Sequence, residues 1–270
     1  MTVGRYVLSP TRESTVRDIQ NPADIIVRRL QATLDLSESE RAAIYGLPLH
    51  VRHYDRGQDL VREHDRPSQC VLILEGWIAR YKVLGNGRRQ VVAIELPGDM
   101  PDVQSLYLEV MDHNLGSLTK CVVGFVPHVT MKAMLAAYPR IATAVWRQTL
   151  IDGSVSREWV LNVGAREAYA RIGHVLCEIY VRLKAVGLTN KGSFGLPISQ
   201  AALGEATGLS NVHVNRVMKA LRTDGLVALN RGVVTILDIE RLMEVSSFDG
   251  TYLHMRLSAQ RGSSPALRET

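Results

Sequence analysis

The feature that most constrains this chain is a stretch near its C-terminus, residues 197–217, whose pattern predicts two short helices joined by a tight turn. Ser199 stands where a residue would cap the first helix, and Gly208 ends that helix because glycine adopts a left-handed backbone without strain. Ser210 is placed to cap the second helix. The sequence therefore predicts a helix-turn-helix.

The predicted second helix has one apolar and one polar face. Its apolar side chains recur at steps of three and four residues, so they share the side that packs inward. These inward residues are Val214, Val217, Met218 and Leu221. The outward residues are Asn211, Val212, His213, Asn215, Arg216, Lys219 and Arg222. Asparagine and arginine pair with adenine and guanine edges, valine contacts the thymine methyl group, and basic side chains reach phosphates, so this face suits the major groove of DNA. The alternative is a helical hairpin whose polar face only meets water.

A β-hairpin is predicted directly after this helix. Residues 226–229 and 233–237 have the pattern of two short strands around a turn at residues 230–232. Such a hairpin is typical of the wing of a winged helix. We expect Arg231 at its tip to lie near a DNA phosphate, whereas the alternative is ordinary sheet with a solvated tip.

Composition limits the class of protein. The chain has 270 residues, of which 46% are hydrophobic and 22% charged, which is enough to bury one or two cores. It has no apolar run long enough to span a bilayer and no apolar secretion signal at its start, so we expect a cytoplasmic protein without a membrane partner. The three cysteines are scattered, which argues against a disulfide framework, and the net charge of +5 is compatible with a polyanionic partner.

The N-terminal half of the chain reads as successive short strands separated by turns. The predicted strands are residues 49–54, 70–74, 77–83, 90–96 and 121–125. Many short strands at close spacing predict a roll or barrel, and an antiparallel sandwich without a pocket is the alternative.

A long helix is predicted between the two halves, at residues 141–162, with a broad apolar face. That face carries Ile141, Val145, Gln148, Ile151, Val155 and Trp159. We expect it to pair with its copy in a second subunit, and the alternative is that it packs only against its own roll. Asp152 and Gly153 are expected to interrupt the helix and Gly164 to end it. A further helix is predicted at residues 165–186.

With these elements in this order, residues 34–247 resemble the Crp/Fnr family of bacterial transcription regulators. The matching landmarks are Leu74-Glu75-Gly76, Pro97-Gly98-Asp99 and residues 208–216. The resemblance implies an α+β fold with an N-terminal double-stranded β-helix (a jelly roll of the cyclic-nucleotide-binding type), a long dimerisation helix and a C-terminal winged helix-turn-helix. The expected divisions are a flexible segment 1–24, roll 25–138, long helix 139–164, winged domain 165–250 and flexible tail 251–270.

The family resemblance also implies partners and contacts. A homodimer would place two recognition helices in successive major grooves of an inverted-repeat operator. The resemblance also implies that RNA polymerase is a partner and that the protein is not an enzyme. The expected DNA-binding residues are Ser199, Ser210, Asn211, Val212, His213, Asn215, Arg216, Lys219, Arg222 and Arg231. Val212 stands where many members have a glutamate that accepts from cytosine, so the operator is expected to differ from theirs.

The effector pocket departs from the family pattern. Members that bind cyclic nucleotides use a Gly-Glu pair for the ribose and an Arg-Ser pair for the phosphate. Here Gly98-Asp99 takes the first place, and residues 112–118 contain Ser117 but no arginine. Asp99 and Ser117 remain the pocket candidates. Because a buried phosphate needs a paired cation, we predict no tight binding of cyclic AMP or cyclic GMP. We expect no cofactor, since the clustered thiolates of an iron-sulfur site are missing, and the protein could work without any effector.

Two other classes of function stay open from the sequence. His50, His53, His64 and Glu63 could bind a metal on adjoining strands, which would make the chain a cupin-like metal-dependent enzyme with an accessory winged helix. Alternatively, the winged helix could bind a protein partner and serve as an interaction module.

Overall fold

The computed structural model describes residues 21–256, which begin with two helices, α1 (Asp24–Gln31) and α2 (Glu38–Tyr45). A capping box starts α2, in which the Ser37 hydroxyl accepts from the backbone N–H of Glu40 and the Glu40 carboxylate accepts from that of Ser37. Of the predicted flexible segment 1–24, residues 1–20 lie outside the described part. Ala23 is buried and Asp24 already begins a helix, so the prediction is wrong for residues 21–24.

Seven antiparallel strands follow in the described chain and form the predicted β-rich domain in two facing sheets. They are β1 (His50–Tyr54), β2 (Asp59–Val61), β3 (Gln69–Glu75), β4 (Ile78–Val83), β5 (Arg89–Glu95), β6 (Asn114–Ser117) and β7 (Cys121–Pro127). One sheet has the order β1-β7-β3 and the other β2-β6-β4-β5. A buried cluster that includes Val71, Ile73 and Ile78 fills the space between them. Strands β2 and β6 were not predicted, because three or four residues carry too little alternation to be recognised.

Two helices connect the roll to the C-terminal domain, α3 (His128–Ala137) and α4 (Pro139–Ala165), and a third, α5 (Ala168–Ala185), opens that domain. The long helix α4 runs for 27 residues without a break at Gly153, so the expected interruption there is wrong. A single glycine inside a helix costs only about 1 kcal/mol, which the packing of α4 outweighs.

The C-terminal domain is the predicted winged helix-turn-helix. It contains β8 (Ser193–Gly195), α6 (Gln200–Thr207), α7 (Asn211–Thr223), β9 (Val227–Asn230), β10 (Val233–Ile236) and α8 (Ile239–Val245). The wing strands β9 and β10 form a sheet with β8 in the order β8-β10-β9. Within residues 21–256, no helix combines the length and the apolar character that a membrane span needs.

The chain after α8 folds back on the molecule. Leu253 lies fully buried in a short 3₁₀ turn, and the Tyr252 hydroxyl donates to the Glu178 carboxylate over 2.7 Å. The backbone N–H of Arg256 donates to the Ala32 carbonyl over 2.8 Å. The expectation of a flexible tail at 251–270 is therefore wrong for residues 251–256, and the rest lies outside the described residues. The Leu253 side chain and the Tyr252 hydroxyl find buried partners far away in the sequence, which the local sequence could not indicate.

Candidate nucleic-acid interface

Three residues with local roles define the ends of α6 and the start of α7. The Ser199 hydroxyl accepts from the Ala202 N–H over 3.1 Å, and the Ser210 hydroxyl accepts from the His213 N–H over 3.3 Å, so each serine caps its helix as predicted. Gly208 has the left-handed φ of +67° that ends α6. These local hydrogen bonds fix where α7 begins.

The two faces of α7 are separated as the sequence predicts. Its inward side chains are buried, and they are Val214, Val217, Met218 and Leu221. Its outward side chains are exposed, and they are Asn211, Val212, Asn215, Arg216, Lys219 and Arg222. Val212 is 81% exposed, so its methyl groups are accessible to a partner. His213 is half-buried. The helix presents amides, cations and one methyl-bearing side chain to solvent, which is the chemistry that reads base edges.

The wing adds one cation. Arg231 is exposed at the tip between β9 and β10, and its φ of +47° together with Gly232 makes the tight turn. Within the sheet that carries this tip, the hydroxyls of Ser193 on β8 and Thr235 on β10 share a 2.8 Å hydrogen bond. A cation on such a rigid hairpin can bind a phosphate.

Neither pocket candidate is free to hold a ligand. Asp99 lies between the guanidinium groups of Arg29 at 2.8 Å and Arg182 at 2.6 Å. Burial raises the pKa of Asp99, but the charges of these two arginines lower it more, so the pKa lies below its usual value. The buried Ser117 hydroxyl donates to the carbonyls of Asp55 and Gln58. Both predicted pocket roles are corrected, because partners distant in sequence occupy these side chains.

A half-buried arginine that sequence reasoning missed lies on β4. Arg80 donates to the Pro101 carbonyl over 2.8 Å and pairs with the Glu95 carboxylate at 3.0 Å. Burial raises the pKa of Glu95 to about 7, against the opposing charge of Arg80. The roll thus contains a cation, but it is neutralised by the chain itself. No local signal could have found it, because alternation places Arg80 on the face opposite to its neighbours Ala79 and Tyr81 and would predict an exposed side chain.

The predicted dimerisation face of α4 is covered by the protein's own chain. Its residues Ile141, Val145, Gln148, Ile151, Val155 and Trp159 are all buried. The Trp159 indole N–H donates to the Glu178 carboxylate on α5, and Ile151 and Val155 share a core with residues of the roll and α5. The expected pairing through this face is therefore wrong, and the alternative of packing only against the roll holds in part, because Trp159 also contacts α5. Sequence could not decide this, because α4 has a second apolar stripe.

That second stripe is exposed. It consists of Trp146, Leu150, Val160 and Leu161. Trp146 is 63% and Val160 is 75% exposed. Exposed apolar side chains aligned along one helix mark a surface for association.

The other candidate chemistries gain no geometric support. In the described part of the chain, no group of three or more His, Cys, Asp or Glu side chains could hold a metal ion, and this includes His50, His53, His64 and Glu63. Glu63 instead pairs with Lys82 at 2.6 Å. The thiols of Cys70, Cys121 and Cys177 are all buried, and burial raises the pKa of each, which favours the unreactive protonated form.

Comparison with known proteins finds the same two parts. The family model of the cyclic nucleotide-binding domain matches residues 51–138, and that of the Crp-like helix-turn-helix domain matches residues 170–245. The transcriptional activator protein FnrL of Cereibacter sphaeroides is 25% identical over 225 residues, which are 82% of this chain and 90% of FnrL. The nitrogen fixation regulation protein FixK of Bradyrhizobium diazoefficiens is 26% identical over 194 residues, which are 70% of this chain and 79% of FixK.

The fold has a matching solved structure. The structure of FixK2 from Bradyrhizobium japonicum superimposes with a TM-score of 0.68 at 21% sequence identity, covering 75% of this chain and 100% of that one. At this identity the match supports the overall fold of this chain, with its roll, long helix and winged domain.

Proposed function

Because the chain belongs to the Crp/Fnr family of transcription regulators, we propose that it binds an inverted-repeat operator in double-stranded DNA as a homodimer. The observation that carries this proposal is the polar, basic face of α7, which is exposed over its whole length while its apolar face is buried. A helix of this kind, fixed at its start by the Ser210 cap, fits the major groove with its first residues toward the bases.

The exposed residues of this face divide by chemistry. Asn211, Asn215 and Arg216 can pair with base edges, and Val212 can contact a thymine methyl group. The cations farther along, Lys219 and Arg222, together with Arg231 on the wing, would contact phosphates. The hydroxyls of Ser199 and Ser210 and the ring of His213 lie at the two helix starts, where they could also donate to the DNA backbone.

The homodimer would form through the exposed stripe of α4 instead of the buried face. Positions 146, 150, 153, 157 and 160 alternate steps of four and three, the spacing that two supercoiled helices need. They hold Trp146, Leu150, Gly153, Arg157 and Val160. Leu150→Glu would place a charge in this seam, so sedimentation analysis should show monomers, whereas Arg147→Glu beside the stripe should remain dimeric. A dimeric Leu150→Glu protein would contradict this interface.

Control by cyclic nucleotides is not part of the proposal. Asp99 and Ser117 have internal partners, and Arg80 is neutralised by Glu95, so none of these three side chains is left unpaired for a cyclic phosphate. Calorimetric titration with cyclic AMP and cyclic GMP should show no micromolar binding. We place the protein in the cytoplasm, where it would act on RNA polymerase and carry no enzymatic activity.

Selection of bound duplexes from a random pool tests the proposed function. The full chain should enrich an inverted repeat, and its affinity should fall with increasing salt because phosphate contacts release counterions. Arg216→Ala should weaken the binding free energy by about 1 to 3 kcal/mol, the range for a bidentate base contact. Arg88→Ala removes an exposed arginine from the roll and serves as the control. If no sequence is enriched, or if the Arg216→Ala protein binds as tightly as the control, the winged helix has another partner.

A further inference from the structure

The helix-turn-helix is attached directly to the roll through α6. The Gln90 side-chain amide on β5 donates to the Glu205 carbonyl on α6 over 2.7 Å, and the Arg89 guanidinium pairs with the Glu205 carboxylate at 3.3 Å. The same guanidinium stacks on the ring of Tyr81, with 3.8 Å between its central carbon and the ring centroid. Because Arg89 is held from two sides, this contact has a defined geometry.

A second attachment lies deeper, on α5. Arg182 donates to the Ile94 carbonyl over 3.0 Å and to the Asp99 carboxylate over 2.6 Å, and both of these partners belong to the roll. Between the two polar attachments, Ile94 of the roll belongs to one continuous hydrophobic core with Leu203 of α6. The winged domain is therefore fixed in orientation as well as in position.

The orientation of α6 also determines that of α7, because the two are closely packed at the turn. A Cβ atom added to Gly204 on α6 would lie 2.5 Å from the Leu209 carbonyl oxygen and 3.6 Å from the Asn211 side-chain oxygen, so α6 packs against the turn and the first residue of α7. Interiors packed this closely transmit displacement because they have no free volume. The attachment also leaves the reading face bare, since Asn211, Val212 and Arg216 stay exposed.

We propose that Arg89 and Gln90, which lie on the roll, are positioning residues that set the separation of half-sites the dimer accepts. The proposal rests on the proposed function. A dimer reads two half-sites about one helical turn apart, so a rotation of either winged domain against its roll changes the distance between the two reading helices. Residues that stop this rotation confer selectivity for spacing, even though they contact no base.

The experiment measures the affinity of the full-length protein for the selected operator and for duplexes with one or two base pairs inserted or deleted between the half-sites. Arg89→Glu faces Glu205 with a like charge and should lower the preference for the best spacing about three- to tenfold, the range expected from one ion pair and its reversal. The charge-swapped protein Arg89→Glu/Glu205→Arg should recover the preference. Gln90→Ala removes only uncharged hydrogen bonds, those to the Val91 and Glu205 carbonyls, and should lower the preference in the same direction by less.

Arg88→Glu is the matched control, since it makes the same charge change at the neighbouring exposed position and no ion pair involves Arg88 in the described residues. It should bind every duplex more weakly by a common factor and keep the spacing preference. The inference is overturned if Arg89→Glu keeps the preference, if it weakens all spacings equally as the control does, or if the swap restores nothing. Failure of the wild-type protein to select paired half-sites would overturn the proposed function itself, a result distinct from these three.

Discussion

The reading helix α7 and the junction between the roll and α5 use charged side chains in opposite ways. On α7 the cations Arg216, Lys219 and Arg222 are exposed and make no ion pair within the described residues. At the junction Arg182 is buried, and the carboxylates of Asp99 and Glu178 surround it. Exposed charges cost little to keep and stay available to a partner, whereas buried charges must be paired within the chain. A charge is therefore available to bind a partner molecule only where the fold leaves it exposed and unpaired.

The largest expected effect is at the junction. Arg182→Met would leave Glu178 buried without its cation and Asp99 paired with Arg29 alone, so the free energy of unfolding should fall by about 3 to 5 kcal/mol. Lys184→Met, on the exposed side of the same helix, should change it by less than about 0.5 kcal/mol. Urea unfolding of both proteins measures the difference, and equal stabilities would show that the buried network is dispensable.

A smaller effect is expected on the pH dependence of stability, through the buried His174. Burial lowers the pKa of His174 on α5 to about 3 from the usual 6.5, so the unfolded chain takes up the proton first as the solution is acidified. The resulting stability is complete above pH 6.5 and is lost as the pH falls toward 3, by about 1.4 kcal/mol per pH unit. His174→Gln should show a shallower loss over this window, and the exposed His53→Gln should follow the wild type. Thermal unfolding at pH 7 and pH 5 gives the comparison, and parallel curves for His174→Gln would refute the assignment.

On the reading helix the expected effect is on specificity and not on stability. Val212→Glu should change the preferred base at the contacted position from thymine to cytosine, by about 1 to 3 kcal/mol, because glutamate accepts a hydrogen bond from the cytosine amino group. Since the side chain is exposed, unfolding should shift by less than about 0.5 kcal/mol. Repeating the duplex selection with this variant, and with Val83→Glu on the roll as control, measures the change. An unchanged consensus would remove Val212 from the base contacts.

The sequence by itself determined the helix-turn-helix and its wing, because their signals lie within a few residues of one another. Ser199, Gly208 and Ser210 act on neighbouring backbone groups, and the spacing of Val214 and Val217 decides which side of α7 is buried. The five longer strands of the roll were predictable for the same reason, since alternation over five or more residues is a local pattern.

Only the tertiary structure decided which groups meet across the chain. Asp99 and Arg182 are 83 residues apart, and nothing near either of them in sequence specifies the pair. Helix α4 carries two apolar stripes, so its periodicity could not tell which one the roll covers and which one stays exposed. That choice depends on the shape of the surface that the helix meets, and this surface exists only after the strands have assembled.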